Sequence, residues 1–232
     1  MARATNYKGI YIDANGKRGF NGLLYSGNQY MMQKHSFYNN CVRDLDLINA
    51  TTLGADLLKL IGKRYEGIGT SGSGADRAVT IYFRPSTKSE GASTGASGSI
   101  SDKYRVEKTI NSGERVFQFA GAGSKVSIDM HNDERSAEIY TRLCGRPTPT
   151  WLVLAHELIH AWHTLSGTNF REQVTVPDRG TVAREEMYTT GLGAYANTRI
   201  SENALRREVG LPEREFYTFQ NDHTFICSQM RH

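Results

Sequence analysis

Residues 146–168 read RPTPTWLVLAHELIHAWHTLSGT, and the fold turns on how this stretch is placed. Thr148 suits a helix cap, Pro149 a first turn and Gly167 a terminator, so the punctuation predicts one helix between them. At about 100° per residue, Trp151, Leu154, Ala155, Leu158, Trp162 and Leu165 collect on one side, with Val153, His156, Glu157, His160 and Thr164 on the other. The histidines are therefore expected off the main apolar stripe.

Two imidazoles four residues apart on a helix stand one turn apart, and both can reach a single Zn2+ at about 2.0–2.1 Å. Glu157 follows the first histidine and lies beside such an ion without having to ligate it, where its carboxylate can take a proton from an attacking water. His163 points poorly at an ion already held by His156 and His160, and is read as a supporting or surface residue. The extended zincin pattern, with a glycine and a further histidine, fails because His163 and Ser166 occupy those two places. The competing reading is an amphipathic core helix that carries this spacing by accident, and a third ligand elsewhere in the chain weakens it. Residues 181–196, TVAREEMYTTGLGAYA, offer Glu185 and Glu186 at the front of a helical segment. Either acid can complete a His2Glu site with water in the fourth position, whereas alone such a pair serves the cap or the helix dipole.

The rest of the chain sets the frame. With 232 residues, 38% of them hydrophobic and 22% charged, and with 23 glycines, the composition predicts a loop-rich globular α+β protein. Lysine plus arginine exceeds aspartate plus glutamate by 28 to 24, a mildly basic balance without a block of like charge, so no nucleic-acid partner is expected. Cys41, Cys144 and Cys227 form no Cys-x-x-Cys pair and read as free thiols of a reducing compartment. The first twenty residues hold no apolar run of signal-peptide length, Ala2 fails the myristoylation requirement, and no stretch approaches a membrane span, so no membrane partner is expected.

Residues 1–40 receive no clear assignment, and 41–232 read as a single domain. CVRDLDLINATTLGADLLKLIGKRYE (41–66) predicts one or two short helices through Val42, Leu45, Ile48, Leu57, Leu58 and Ile61. GIGTSGSG (67–74) lacks the Lys-Ser/Thr of a phosphate loop and reads as a flexible turn. AVTIYFRP (78–85) reads as an edge strand stopped by Pro85, and STKSEGASTGASGSIS (86–101) as a mobile loop. RVFQFAG (115–121) and SKVSIDMH (124–131) read as two strands split by a glycine turn, which gives a small mixed or antiparallel sheet followed by a mainly helical C-terminal third. SENALRREVGLP, capped by Ser201 and stopped by Gly210 before Pro212, reads as a scaffold helix without a catalytic role.

HELIHAWHTLSG, REEMYTTGLGAY and ISENALRREVGLPEREFY, in this order, resemble the NleD-like zinc metalloprotease effectors that Gram-negative bacteria inject into host cells by type III secretion. The resemblance covers residues 151–217 and a little beyond. HELIHAWH and EEMYTTG are also similar to the zinc-site blocks of clostridial neurotoxin light chains, where the second glutamate of the pair binds zinc, and that match points to Glu186. Those light chains carry an Arg-x-x-Tyr element that steadies the oxyanion, and its form in residues 214–217 implies Arg214 and Tyr217 as the donors.

The resemblance thus implies a zincin-like α+β metalloprotease built round an HExxH active-site helix. One Zn2+ per chain is expected on His156, His160 and Glu186, with Glu157 as the base. An extended substrate is expected along a sheet edge, formed by SKVSIDMH or RVFQFAG. The implied substrate is a host signalling protein, with mitogen-activated protein kinases the favoured class, met in the host cytoplasm by a monomeric enzyme. Two rivals make different predictions. A zinc-containing binding protein without catalytic activity has no use for Glu157 beside an open coordination position. A nucleic-acid binder working through Arg206, Arg207, Arg214 and their neighbours predicts affinity for DNA or RNA that falls steeply with salt.

Overall fold

A computed structural model of the chain describes residues 3–13, 27–67, 78–84, 93–96, 106–109, 115–118, 124–129, 148–170, 173–176 and 180–215. The elements run β1 (Arg3–Ala4), β2 (Ile10–Asp13), α1 (Gly27–Asn49), α2 (Thr52–Gly67), β3 (Val79–Arg84), β4 (Ser93–Ala96), β5 (Val106–Thr109), β6 (Arg115–Gln118) and β7 (Ser124–Asp129). They continue with α3 (Thr150–Ser166), β8 (Gln173–Val176), β9 (Gly180–Ala183), α4 (Arg184–Thr190), a 3-10 turn (Gly193–Tyr195) and α5 (Glu202–Glu208), an α+β arrangement.

The main sheet is mixed and has the order β1-β2-β3-β7-β4, with β2, β3 and β7 parallel and the two outer strands antiparallel to their neighbours. β3, expected at an edge, is its middle strand. Pro85, expected to stop the strand, lies outside the described residues. Val79, Thr80 and Ile81 are all buried, as in a central parallel strand covered on both faces. SKVSIDMH is not an edge either, because β7 lies between β3 and β4. The outer strand is β4, inside the stretch read as a loop. Its residues STGA carry little β-propensity of their own, and the ladder to β7 supplies the strand. Among the described residues β6 pairs with β5 rather than with β7. The N-terminal segment contributes β1, β2 and most of α1, and Ile10 and Ile12 enter the core.

The helices predicted over 41–66 are two, but the first already begins at Gly27. Thr51 divides them: its Oγ1 donates to the Ile48 carbonyl at 2.9 Å and accepts from the Gly54 amide at 3.0 Å. A side chain at Gly54 would run into that same carbonyl. Leu45, Ile48, Leu57 and Ile61 pack with Leu152, Leu154, Leu158 and Ile159 of α3 and with Val79 and Ile81 in one core. α3 is not amphipathic in the expected sense. Val153, His156, Glu157 and His160 are buried as fully as the apolar stripe, because α1 and α2 pack against α3 while β4, β7, α4 and α5 also contact it.

Gly167 ends α3 as expected, in the left-handed region at φ 68°, with Thr168 N–H donating to the His163 carbonyl at 2.9 Å. Thr148 does not cap it. Pro149 takes the cap position and the Thr148 hydroxyl accepts from Arg206 Nη2 at 2.7 Å. Residues 68–74 of the glycine-rich turn, together with Cys144, Cys227 and Tyr217, lie outside the described residues. Among the described residues no helix is long and apolar enough to cross a membrane.

Candidate metal centre

α3 presents His156 and His160 one turn apart, and the first turn of α4, entered directly from β9, brings up Glu185 and Glu186. The two Nε2 atoms are 3.2 Å apart, and Glu186 Oε2 lies 3.3 Å from that of His156 and 3.1 Å from that of His160. A tetrahedral zinc site with bonds of about 2.0–2.1 Å has ligand-to-ligand edges of about 3.3–3.4 Å. The observed triangle matches that size within a few tenths of an ångström.

The hydrogen bonds behind the histidines decide what the triangle can hold. His156 Nδ1 is 2.9 Å from Glu202 Oε2, and His160 Nδ1 is 3.1 Å from Glu185 Oε1. Burial alone would raise the Glu185 carboxyl, but hydrogen bonds from His160 and His163 lower it to about 2. Burial likewise opposes ionisation of Glu202, and the Arg214 charge together with the His156 hydrogen bond and charge holds its carboxyl well below the usual range. Both carboxylates are therefore acceptors, each histidine donates through Nδ1, and each Nε2 is left with a lone pair. Two such lone pairs and a carboxylate oxygen converge, an arrangement that calls for a cation. Without a metal the cation is a proton. Burial opposes charging of His156, but hydrogen bonds to Glu186 and Glu202 outweigh it and raise its pKa. Burial opposes charging of His160 too, yet Glu186 and Glu185 raise it well above its ordinary value. Burial works against ionised Glu186, and the His160 charge and both histidine hydrogen bonds keep it charged.

Glu157 lies on α3, 3% exposed, and its charge acts on His160. Glu185, the other acid of the pair, bonds His160 and His163 through Nδ1 rather than facing the triangle. His163 is wholly buried, not at the surface. Arg214 is 3% exposed, donates through Nη1 to Glu202 Oε2 at 2.7 Å, and is clamped at its backbone by two 2.8 Å hydrogen bonds with Asn203.

Sequence reading gave α5 no chemical part, yet Glu202 orients His156 while accepting from Arg206 Nε at 2.8 Å. The available signal was the Glu202–Arg206 spacing, which on most helices marks a solvated surface pair. Arg206 has no exposed surface and so is not presented to a phosphate backbone as a nucleic-acid binder requires, whereas Arg207 is exposed and paired with Glu213.

A family model described as effector protein, Peptidase M91, matches residues 26–217. Comparison with curated proteins yields no match. Among solved structures, the Clostridium botulinum neurotoxin serotype F light chain is 15% identical with a TM-score of 0.47, over 78% of this chain and 54% of that one. The botulinum neurotoxin serotype HA light chain is 15% identical with a TM-score of 0.49, over 84% and 59%. The catalytic domain of Clostridium botulinum neurotoxin serotype F is 16% identical with a TM-score of 0.48, over 88% and 58%. The chain thus spans between half and three-fifths of the length of the solved proteins it matches.

Proposed function

From the premise that the chain belongs to the Peptidase M91 family of effector proteins, we propose that it is a zinc-dependent endopeptidase that cleaves a protein of the host cell. The observation that carries the reading is the meeting of His156 Nε2, His160 Nε2 and Glu186 Oε2 within 3.3 Å of one another, each histidine backed by its own carboxylate. Bound there, one Zn2+ per chain would supply Lewis acidity at a peptide carbonyl and acidify water.

The protein's own groups perform the proton steps. Glu157 takes a proton from the attacking water as its oxygen bonds to the carbonyl carbon, then returns it to the amine as the carbon–nitrogen bond breaks. Arg214, held by Glu202 and Asn203, and Tyr217 steady the negative charge on the carbonyl oxygen. The substrate lies extended along β4, the outer strand of the sheet beside α3, and gains main-chain hydrogen bonds there. Resemblance to type III effectors supports delivery into the host cytoplasm, action as a monomer, and a host signalling protein, with mitogen-activated protein kinases as the favoured class.

The test is zinc content and proteolysis of host-cell lysate for the wild type, Glu157→Ala, Glu185→Ala and Glu186→Ala. Glu157→Ala is expected to keep its zinc and lose cleavage by at least about a hundredfold, the scale of a lost general base. Glu186→Ala is expected to weaken zinc binding. Full cleavage by Glu157→Ala overturns the mechanism, and a wild type that holds zinc and cleaves nothing is a binding protein instead. Normal zinc in Glu186→Ala with loss in Glu185→Ala moves the third ligand to Glu185.

A further inference from the structure

His163 is neither a ligand in the reading above nor a party to the proton steps, yet it has no exposed surface. Its Nδ1 lies 2.6 Å from Glu185 Oε1. The same oxygen faces His160 Nδ1 at 3.1 Å and Thr189 Oγ1 at 3.2 Å. The second oxygen of Glu185 accepts from the Phe170 backbone N–H at 2.9 Å. On its flat side the imidazole stacks on Tyr188, with ring centroids 4.4 Å apart and planes 19° apart, and it tilts against Trp162 at 5.0 Å.

The far nitrogen of the ring, Nε2, is buried with no hydrogen-bond partner among the described residues. An orphaned buried polar atom is unfavourable, and a phenylalanine would fill and stack in this place without one. What the histidine offers beyond a phenyl ring is its Nδ1–H.

The two acids of the Glu185-Glu186 pair are adjacent, and both approach His160. One is saturated. Glu185 has three donors at one oxygen and a backbone N–H at the other, so little capacity is left to bind an ion; among the described residues Glu186 faces only the two Nε2 atoms. We propose that His163 is a positioning residue that pins Glu185 through its Nδ1–H, so that Glu185 orients His160 instead of ligating and the metal position is left to Glu186. The inference rests on the zinc reading of the triangle.

Its test is a chelator-competition titration of zinc on the full chain for the wild type, His163→Phe and His163→Asn. Phenylalanine keeps a stacking ring and lacks the donor, whereas asparagine loses the ring but carries an amide N–H where Nδ1 was. His163→Phe is expected to bind zinc about 10–100-fold more weakly, the range for lost outer-shell partners, and His163→Asn to stay within about threefold of the wild type. Wild-type affinity in His163→Phe, or an asparagine variant weakened as much as the phenylalanine one, overturns the role and leaves His163 as packing.

Imidazole nitrogen-15 shifts of the zinc-loaded wild type read the same question without a variant that must fold. A proton on Nδ1 and a bare Nε2 are expected at His163, and a bare Nδ1 overturns the proposal. If the wild type binds no zinc at all, the metal reading falls and this role falls with it. Stoichiometric zinc in the wild type with no effect of His163→Phe removes the positioning role alone.

Discussion

Each histidine of the centre is tied to a different carboxylate, and what holds those carboxylates differs. Glu185 sits among neutral donors and histidines, whereas Glu202 is 1% exposed and carries two guanidinium groups, Arg206 on Oε1 and Arg214 on Oε2. Removing the charge of Glu202 takes a carboxylate partner from two buried cations. Glu202→Gln is therefore expected to lower unfolding free energy by about 3–5 kcal/mol in chemical denaturation, the range for a broken buried ion pair. Its zinc affinity should also fall, because the acceptor behind His156 loses its charge. A loss under about 1 kcal/mol would show that the network does not carry the site.

At this scale much was legible. His156, Glu157 and His160 follow from spacing because one helix fixes their relative directions. Which of Glu185 and Glu186 meets them was not, since neighbours on a helix point about 100° apart and the rotation of α4 about its axis is set by packing elsewhere in the chain. Glu202 was missed for the same reason. Its partner His156 lies far back in the sequence and its bond is tertiary.

Between elements, the join of α4 and α5 decides whether their carboxylates arrive together. Gly191 ends α4 at φ 81°, and a Cβ there would lie 2.5 Å from the Ser201 hydroxyl oxygen. That hydroxyl caps α5 by accepting from the Ala204 amide at 3.2 Å. Gly191→Ala is expected to cost more than about 1 kcal/mol, from the left-handed backbone and the clash together. It should also loosen zinc, because Glu185 and Glu186 sit on one helix and Glu202 on the other. Ser201→Ala removes only the cap and is expected to cost about 1 kcal/mol. If thermal melts rank the two the other way round, the packing of Gly191 on Ser201 is not what sets the join.

The strands show the limit of reading elements locally. β3 alternates like a half-exposed strand and is nonetheless covered on both faces at Val79, Thr80 and Ile81, and β4 has no strand signal beyond its pairing with β7. Helix caps at Gly167 and Ser201 were readable because a cap is made within a few residues.

Across the whole molecule, α1 and α2 and the main sheet bury α3 along nearly its full length, and with it a cluster of ionisable groups. The cluster makes the metal-free protein sensitive to pH in two directions. Glu185, lowered from 4.5 to about 2, contributes stability that is present above about 4.5 and lost as pH falls towards 2. His156 and His160, raised from 6.5, contribute stability that is complete below about 6.5 and lost as pH rises through their raised values. Burial lowers His163 from 6.5 and so opposes this gain as pH falls below about 6.5. Chelator-treated protein is therefore expected to lose stability below about pH 4.5 and again above the raised values of His156 and His160, and zinc affinity to rise with pH as the competing protons leave. A melting temperature of the metal-free chain that climbs steadily through neutrality would contradict this assignment.

X-ray absorption at the zinc edge of the purified chain tests the central claim most directly. One zinc per chain is expected, with two imidazole nitrogens and oxygen ligands at about 2.0–2.2 Å and no sulfur. Sulfur scatterers at about 2.3 Å, which would place the ion on cysteine, or a chain that retains no zinc, would contradict it.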